Sequence, residues 1–249
     1  CTAGTCKAGK PKLFAHTLAS QNARRARAVA EVASGEVWIA GSQHTPAKQG
    51  SSAVVDAFVA RGKADGSTVD DNVFAAPGDD VLAGLQPLGG GAIGVGHQRG
   101  ADGKPDTWVL RLDAKAAIEW SKTFGGPGDD RALAVGVSGT RVEVAGFSTT
   151  AVGQTGRLHT LDEKGAVATV FDGASGELGP LGGVTADTVG AVAVGQTRAG
   201  AGPLRAAAVR VVKGAAVWTA RFGGATGPSA AVGVVAKANQ WWVAGNDVS

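Results

Sequence analysis

Apolar residues in this chain come in short runs, and each run stops at turn-forming residues. VWIAG, AIGVG, VEVAG, AVAVG and WWVAG close at Gly41, Gly96, Gly146, Gly195 and Gly245. Runs of roughly four to eight β-branched or small residues, bounded by Gly, Asp, Lys or Ser, predict strands. A second marker keeps step with the first. Five of the seven phenylalanines, Phe14, Phe74, Phe124, Phe171 and Phe222, are spaced 60, 50, 47 and 51 residues apart. Two markers sharing a period near 50 residues identify an internal repeat, with FGGPGDDRALAVGV (124–137) as its clearest copy.

Each unit supplies four predicted strands. The first gives ARAVAEV (26–32), VWIAG (37–41), DAFVARGKADG (56–66) and STVDDNVF. The second gives VLAGLQPL, AIGVG, DTWVLRLDAKA and AIEWSKTF, and the third RALAVGV, RVEVAG, GRLHTLDEKGA and AVATVF. The fourth gives LGPLGGVT, AVAVG, PLRAAAVRVVKGA and AVWTARF. Helix competes for stretches such as AAAVRVV, but glycines every few residues argue against it. Four strands per unit, repeated, describe the blades of a propeller. The expectation is an all-β, five-bladed β-propeller over residues 13–249, preceded by a tether at 1–12.

The third strands carry Arg61, Arg111 and Arg210 at one register, with Thr160 in the remaining unit. Trp120 and Trp218 stand four residues before their phenylalanines and read as packing between neighbouring blades. The fifth unit supplies AAVGVVA and WWVAG and then the sequence ends at Ser249. In register, KPKL with Phe14–Leu18 falls where a fourth strand belongs, so the N-terminal strand is expected to complete the last blade and cover a strand edge. The third strand of that blade has no source: either the blade has three strands or the chain was cut.

FGGPGDDRALAVGV, then VxVAG, a polar loop and D-x-W-V-L-R-L-D-x-K-x-x-x-x-W, resembles the bacterial β-propeller repeat of FGG-x-GDD type. The likeness runs from Phe14 onward and is strongest in the second and third units; GDD becomes NARR in the first and GEL in the fourth. The resemblance implies the propeller fold and an address outside the cytoplasm. It implies no shared catalytic residue.

Composition adjusts this picture. Forty glycines in 249 residues fit many short strands joined by tight turns. No apolar run approaches the roughly 20 residues of a membrane-spanning helix. The net charge of +3 has no dominant basic block beyond Arg24, Arg25 and Arg27, so nucleic acid is not an expected partner. The chain contains no methionine and opens on Cys1, which resembles a bacterial lipoprotein after signal-peptide cleavage. Lipidation of Cys1 competes with a Cys1–Cys6 disulfide and with simple trimming. Each lipid or disulfide reading places the protein outside the cytoplasm, as an outer-membrane or cell-surface lipoprotein, or else periplasmic or secreted.

In an up-and-down blade, the loops joining second to third strand, and fourth strand to the next blade, open on one face. Those loops hold Ser42, Gln43, His44, His97, Gln98, Ser148, Thr149, Gln196, Thr197, Asn246 and Asp247, together with the pairs Asp79–Asp80 and Asp129–Asp130. This is the expected binding face for a polar ligand such as a saccharide or a peptide segment. The competing reading has the Asp pairs capping turns through backbone N–H groups. His44 and His97 without a third ligand make a weak metal site, and neither metal nor cofactor is expected. GxSxG, HExxH and GxxxxGK[ST] are absent. Paired acids for glycoside hydrolysis would have to come from Asp80, Asp130 and Asp247. The sequence reading is therefore a non-catalytic binding or scaffolding module with a protein or polysaccharide partner at the cell surface. A lectin-like module is the alternative, and a hydrolase the further one.

Overall fold

The computed structural model describes residues 22–32, 35–46, 53–63, 65–76, 78–174, 177–198, 202–223, 228–237 and 240–247. Among these, every regular element is a strand. The first sheet is β1 (Ala23–Glu31), β2 (Val37–Thr45), β3 (Val54–Gly62) and β4 (Thr68–Phe74). The second is β5 (Val81–Leu88), β6 (Gly91–Arg99), β7 (Pro105–Leu112) and β8 (Ile118–Phe124). The third is β9 (Asp130–Ser138), β10 (Arg141–Thr150), β11 (Gly153–Leu161) and β12 (Val167–Asp172). The fourth is β13 (Leu178–Ala186), β14 (Ala191–Arg198), β15 (Leu204–Val212) and β16 (Ala215–Phe222), followed by the hairpin β17 (Ser229–Lys237) and β18 (Gln240–Asp247).

Each four-stranded sheet is an antiparallel meander in sequence order. The first strands β1, β5, β9, β13 and β17 stand side by side in succession, so the sheets are the blades of a β-propeller with those strands innermost. The alanine-rich stretches are strands, as their glycine punctuation predicts. Beyond the β17–β18 hairpin, the proposed closing strand at Phe14–Leu18 and the tether before it lie outside the described residues.

The core sits between blades rather than within one. Trp38 and Val59 of blade one pack with Leu82 and Leu110 of blade two. Ile93, Val95 and Val109 meet Val142, Val144 and Leu161 of blade three. Leu158 meets Leu181 and Val209 of blade four, and Val192 and Val194 meet Ala231 of the hairpin. Fully burying such a side chain contributes about 1.5–3 kcal/mol, which a blade on its own would forgo on at least one face.

The phenylalanine marker has a place in this packing. Phe74 at the end of β4 meets Trp108 of the next blade edge-on at 6.4 Å, and Phe124 at the end of β8 stacks on His159 of the next blade at 5.2 Å. The tryptophans also bridge blades: Trp120 donates to the Glu163 carbonyl at 3.0 Å, and Trp218 lies 5.8 Å from Trp241.

The glycine marker has a steric cause. In every blade and in the hairpin, the first strand carries a β-bulge opposite the closing glycine, at Ala26/Ala28, Leu82/Gly84, Ala132/Ala134, Leu181/Gly183 and Ala231/Gly233. The bulge pushes a carbonyl inward. A methyl group on Gly146 would overlap the Arg131 carbonyl oxygen, and one on Gly96 would overlap that of Val81. One first-strand residue per bulge has no ladder partner: Arg27, Ala83, Leu133, Gly182 and Val232.

Candidate functional site

The loop face carries a basin of about 590 Å³ where the first three blades meet, a size suited to a small ligand or part of a larger one. Blade one contributes Arg24, Arg25 and Arg27 from β1 with Ser42 and His44 from β2. Blade two contributes Asp79, His97 and Arg99, and blade three Arg131 from β9. The β1 bulge helps deliver this set. It leaves Arg27 outside the ladder while Arg24 and Arg25 pair with Gln43 and Ser42.

The cations differ in what already holds them. Arg24 is fastened into the blade: its Nε donates to Gln43 Oε1 at 2.8 Å, its guanidinium lies 4.9 Å from the centre of the Phe58 ring, and it pairs with Asp71. Arg131 donates twice to its neighbour Asp129, at 2.7 and 2.9 Å. Arg25, Arg27 and Arg99 are exposed, and among the described residues none has a carboxylate partner. Burial, together with Arg25 and Arg131 nearby, draws the Arg27 guanidinium below its usual range. Burial first, and then Arg131, brings His97 down to about 4, so its imidazole is neutral at pH 7.

The turn before β5 is shaped around one of these side chains. Gly78, at φ +115°, packs where a methyl group would collide with Cβ, Cδ and Nε of Arg99. That glycine is the G of the second unit's GDD. In the third unit its counterpart Gly128 makes room for the Thr149 carbonyl instead.

The structure disperses most of the loop residues picked out from sequence. Of them, Ser42, His44, His97 and Asp79 line the basin. His44 and His97 are not register equivalents: counted from the closing glycines, His97 matches Ser42 and His44 matches Arg99. Gln43 is buried and accepts from Arg24. Ser148 is buried, the Thr149 N–H donates to the Asp129 carbonyl, and buried Thr197 donates to the Glu177 carbonyl. Gln98 and Gln196 are half-buried near the ends of β6 and β14, outside the basin. Asn246 borders a separate hollow of about 400 Å³ beside Phe222 and Trp241, and Asp247 pairs with Ser229 in the hairpin ladder.

The Asp pairs fasten turns. Asp80 and Asp130 are each 1% exposed and accept the N–H four residues earlier, Ala76 at 3.1 Å and Gly126 at 2.8 Å. Asp79 accepts the Val55 N–H at 3.1 Å, and the Asp80 N–H donates to the Val55 carbonyl, tying blade two to blade one. Burial, reinforced by Asp56 and Asp79, lifts the Asp80 carboxyl to about 6 against the pull of the Ala76 bond. Asp130 lies 3.6 Å from Arg157. Asp79 is the carboxylate that reaches the basin.

The arginines are the part of the basin least visible in sequence: Arg24, Arg25 and Arg27 form one small basic cluster in the first unit, while Arg99 and Arg131 stand singly in the second and third. The repeat register held a signal. Arg25 and Arg131 occupy the same first-strand position, and the third residue past the closing glycine is His44, Arg99, Thr149 or Arg198 in successive blades.

No protein-family model and no curated protein matches the chain. Among solved structures, a mutant Bombyx mori GH32 β-fructofuranosidase in complex with sucrose is similar over 90% of this chain and 54% of its own, at 5% identity and TM-score 0.45. Sqt1 from Chaetomium thermophilum is similar over 74% of this chain and 42% of its own, at 14% identity and TM-score 0.38. The chain thus spans about half the length of the solved structures it matches. The expectation that the chain is not an enzyme is corrected on this finding: an enzyme stands among the structures similar to it. At that TM-score the likeness assigns no substrate or reaction to this chain.

Proposed function

We propose that the chain is a propeller binding module that takes a polar ligand in the basin between blades one, two and three. The observation that carries this reading is the convergence of charged and hydrogen-bonding side chains from three blades on one cavity of about 590 Å³. Blades one, two and three reach it through the β1 start, the β2 and β6 ends and the β9 start, so rigid strands rather than long loops position the groups. Resemblance to the FGG-x-GDD repeat supports placing the module outside the cytoplasm, with a saccharide or a protein segment at the cell surface as its partner.

The experiment is an array of oligosaccharides and peptides, probed with wild type and with His97→Ala. Binding by wild type that the variant loses supports the basin. Binding unaffected by the variant places the ligand elsewhere on the protein and removes this reading. Incubating each bound oligosaccharide with the protein, followed by mass analysis for shortened products, shows in the same series whether binding leads to turnover.

A further inference from the structure

Resting on the basin reading, we infer that its ligand is an anion carrying two or more oxyacid groups, held by Arg25, Arg27 and Arg99. Three features of the cavity support this. First, these three guanidiniums line it with no carboxylate partner among the described residues, whereas Arg24 and Arg131 beside them are satisfied by Asp71 and Asp129. An arginine left unsatisfied at a cavity wall offers a planar fork of donors that matches a carboxylate, sulfate or phosphate. Second, like charges are held together at a cost. After burial, the charges of Arg25 and Arg131 disfavour the charged form of Arg27, and after burial those of Arg131 and Arg27 disfavour that of His97. An anion entering the basin relieves that repulsion, which gives it differential affinity over any neutral ligand. Third, the placement is built. The bulge sets Arg27 free of the ladder, and Gly78 gives up a side chain where the stem of Arg99 passes.

The lining argues against a neutral sugar as the occupant. It holds Val55, Val81 and Pro105 but no Phe or Trp, so a pyranose ring would find no flat aromatic surface to lie on. Asp79 is the counterweight: it lines the same space and disfavours an anion close to it.

The test is titration calorimetry of the whole chain with tripolyphosphate, trigalacturonate and maltotriose at low salt. The two anions separate a phosphate source from a uronate source, and maltotriose is the uncharged control. Expected is saturable binding of at least one anion that weakens as salt rises. Each of Arg25→Gln, Arg27→Gln and Arg99→Gln should weaken it about tenfold, the scale of one lost charge-assisted contact. Asp79→Asn, which keeps an acceptor for Val55, should strengthen it, so folding failure cannot mimic the whole pattern. Anion binding undiminished in the triple glutamine variant overturns the inference. Maltotriose binding as tightly as either anion also overturns it while leaving the basin reading standing. Failure of all three probes to bind, with saccharides or peptides captured elsewhere on the surface, removes both.

Discussion

Gly146 shows how much one absent side chain decides. Its place opposite the Arg131 carbonyl leaves no volume for a methyl group, and backbone cannot swing aside as a flexible side chain can. Gly146→Ala should therefore lower stability by about 3 kcal/mol or more in urea unfolding. Gly90→Ala, in open space, should change it by less than about 0.5 kcal/mol. Two buried titratable groups give opposite pH signatures. His159, stacked on Phe124, is brought down to about 4, first by burial and then by Arg157. As pH falls from about 6.5 to 4, the unfolded chain takes up that proton and the folded chain refuses it, so stability drops across this window. Asp80 runs the other way. Its carboxyl, lifted to about 6, binds a proton in the folded state before the unfolded state does, and stability is lost as pH rises from about 4 to 6. His159→Phe should reduce the acid-side loss, whereas Asp80→Asn should steepen it, as read by unfolding midpoints at several pH values. Identical slopes in the two variants would remove both assignments.

At the scale of the element, the third-strand arginine acts as a latch on the turn between first and second strands of its own blade. Arg61 donates to Glu36, Arg111 to the Leu88 carbonyl, and Arg210 to Asp187 at 2.9 Å. Blade three does it differently. Thr160 stands in the arginine's place and donates to Glu143 at 2.8 Å, while Arg141 pairs with Glu143 and reaches the Thr188 and Gly190 carbonyls of blade four. The sequence substitution of Thr160 thus accompanies a latch turned outward, from within a blade to between blades. The Arg210 bond is the leading reason the Asp187 carboxyl falls to about 2. Arg210→Ala should cost about 2 kcal/mol in denaturant unfolding, the value of a hydrogen bond between charged partners that are partly buried. Full stability in that variant would reduce the latch to decoration.

For the molecule as a whole, stability follows the number of neighbouring blades. Blade three is packed on both faces, whereas among the described residues the β17–β18 hairpin is covered by blade four, and Val232, Val235 and Trp242 are each about 60% exposed. Hydrogen exchange should release the hairpin amides before those of β9–β11; the reverse order would contradict this gradient. The same dependence on repetition explains what the sequence disclosed. Strands, blades and the loop face were legible because the phenylalanines and closing glycines report packing that recurs every unit. The basin was not, because Arg25, Arg27, Arg99 and Arg131 belong to three units and meet only when the blades are set around an axis. Asp80 and Asp130 were legible as turn residues because GDD recurs across units, and in each copy one carboxylate oxygen accepts the N–H four residues earlier.

The bulge beside each closing glycine has one more consequence. Its extra residue answers to no cross-strand partner, and this single chain fills the five such places with a cation, a methyl, an isobutyl, a bare hydrogen and an isopropyl group, at Arg27, Ala83, Leu133, Gly182 and Val232. Shape is thereby uncoupled from identity at five addresses near the centre of the wheel: the bulge fixes the path of the backbone and leaves the choice of side chain open.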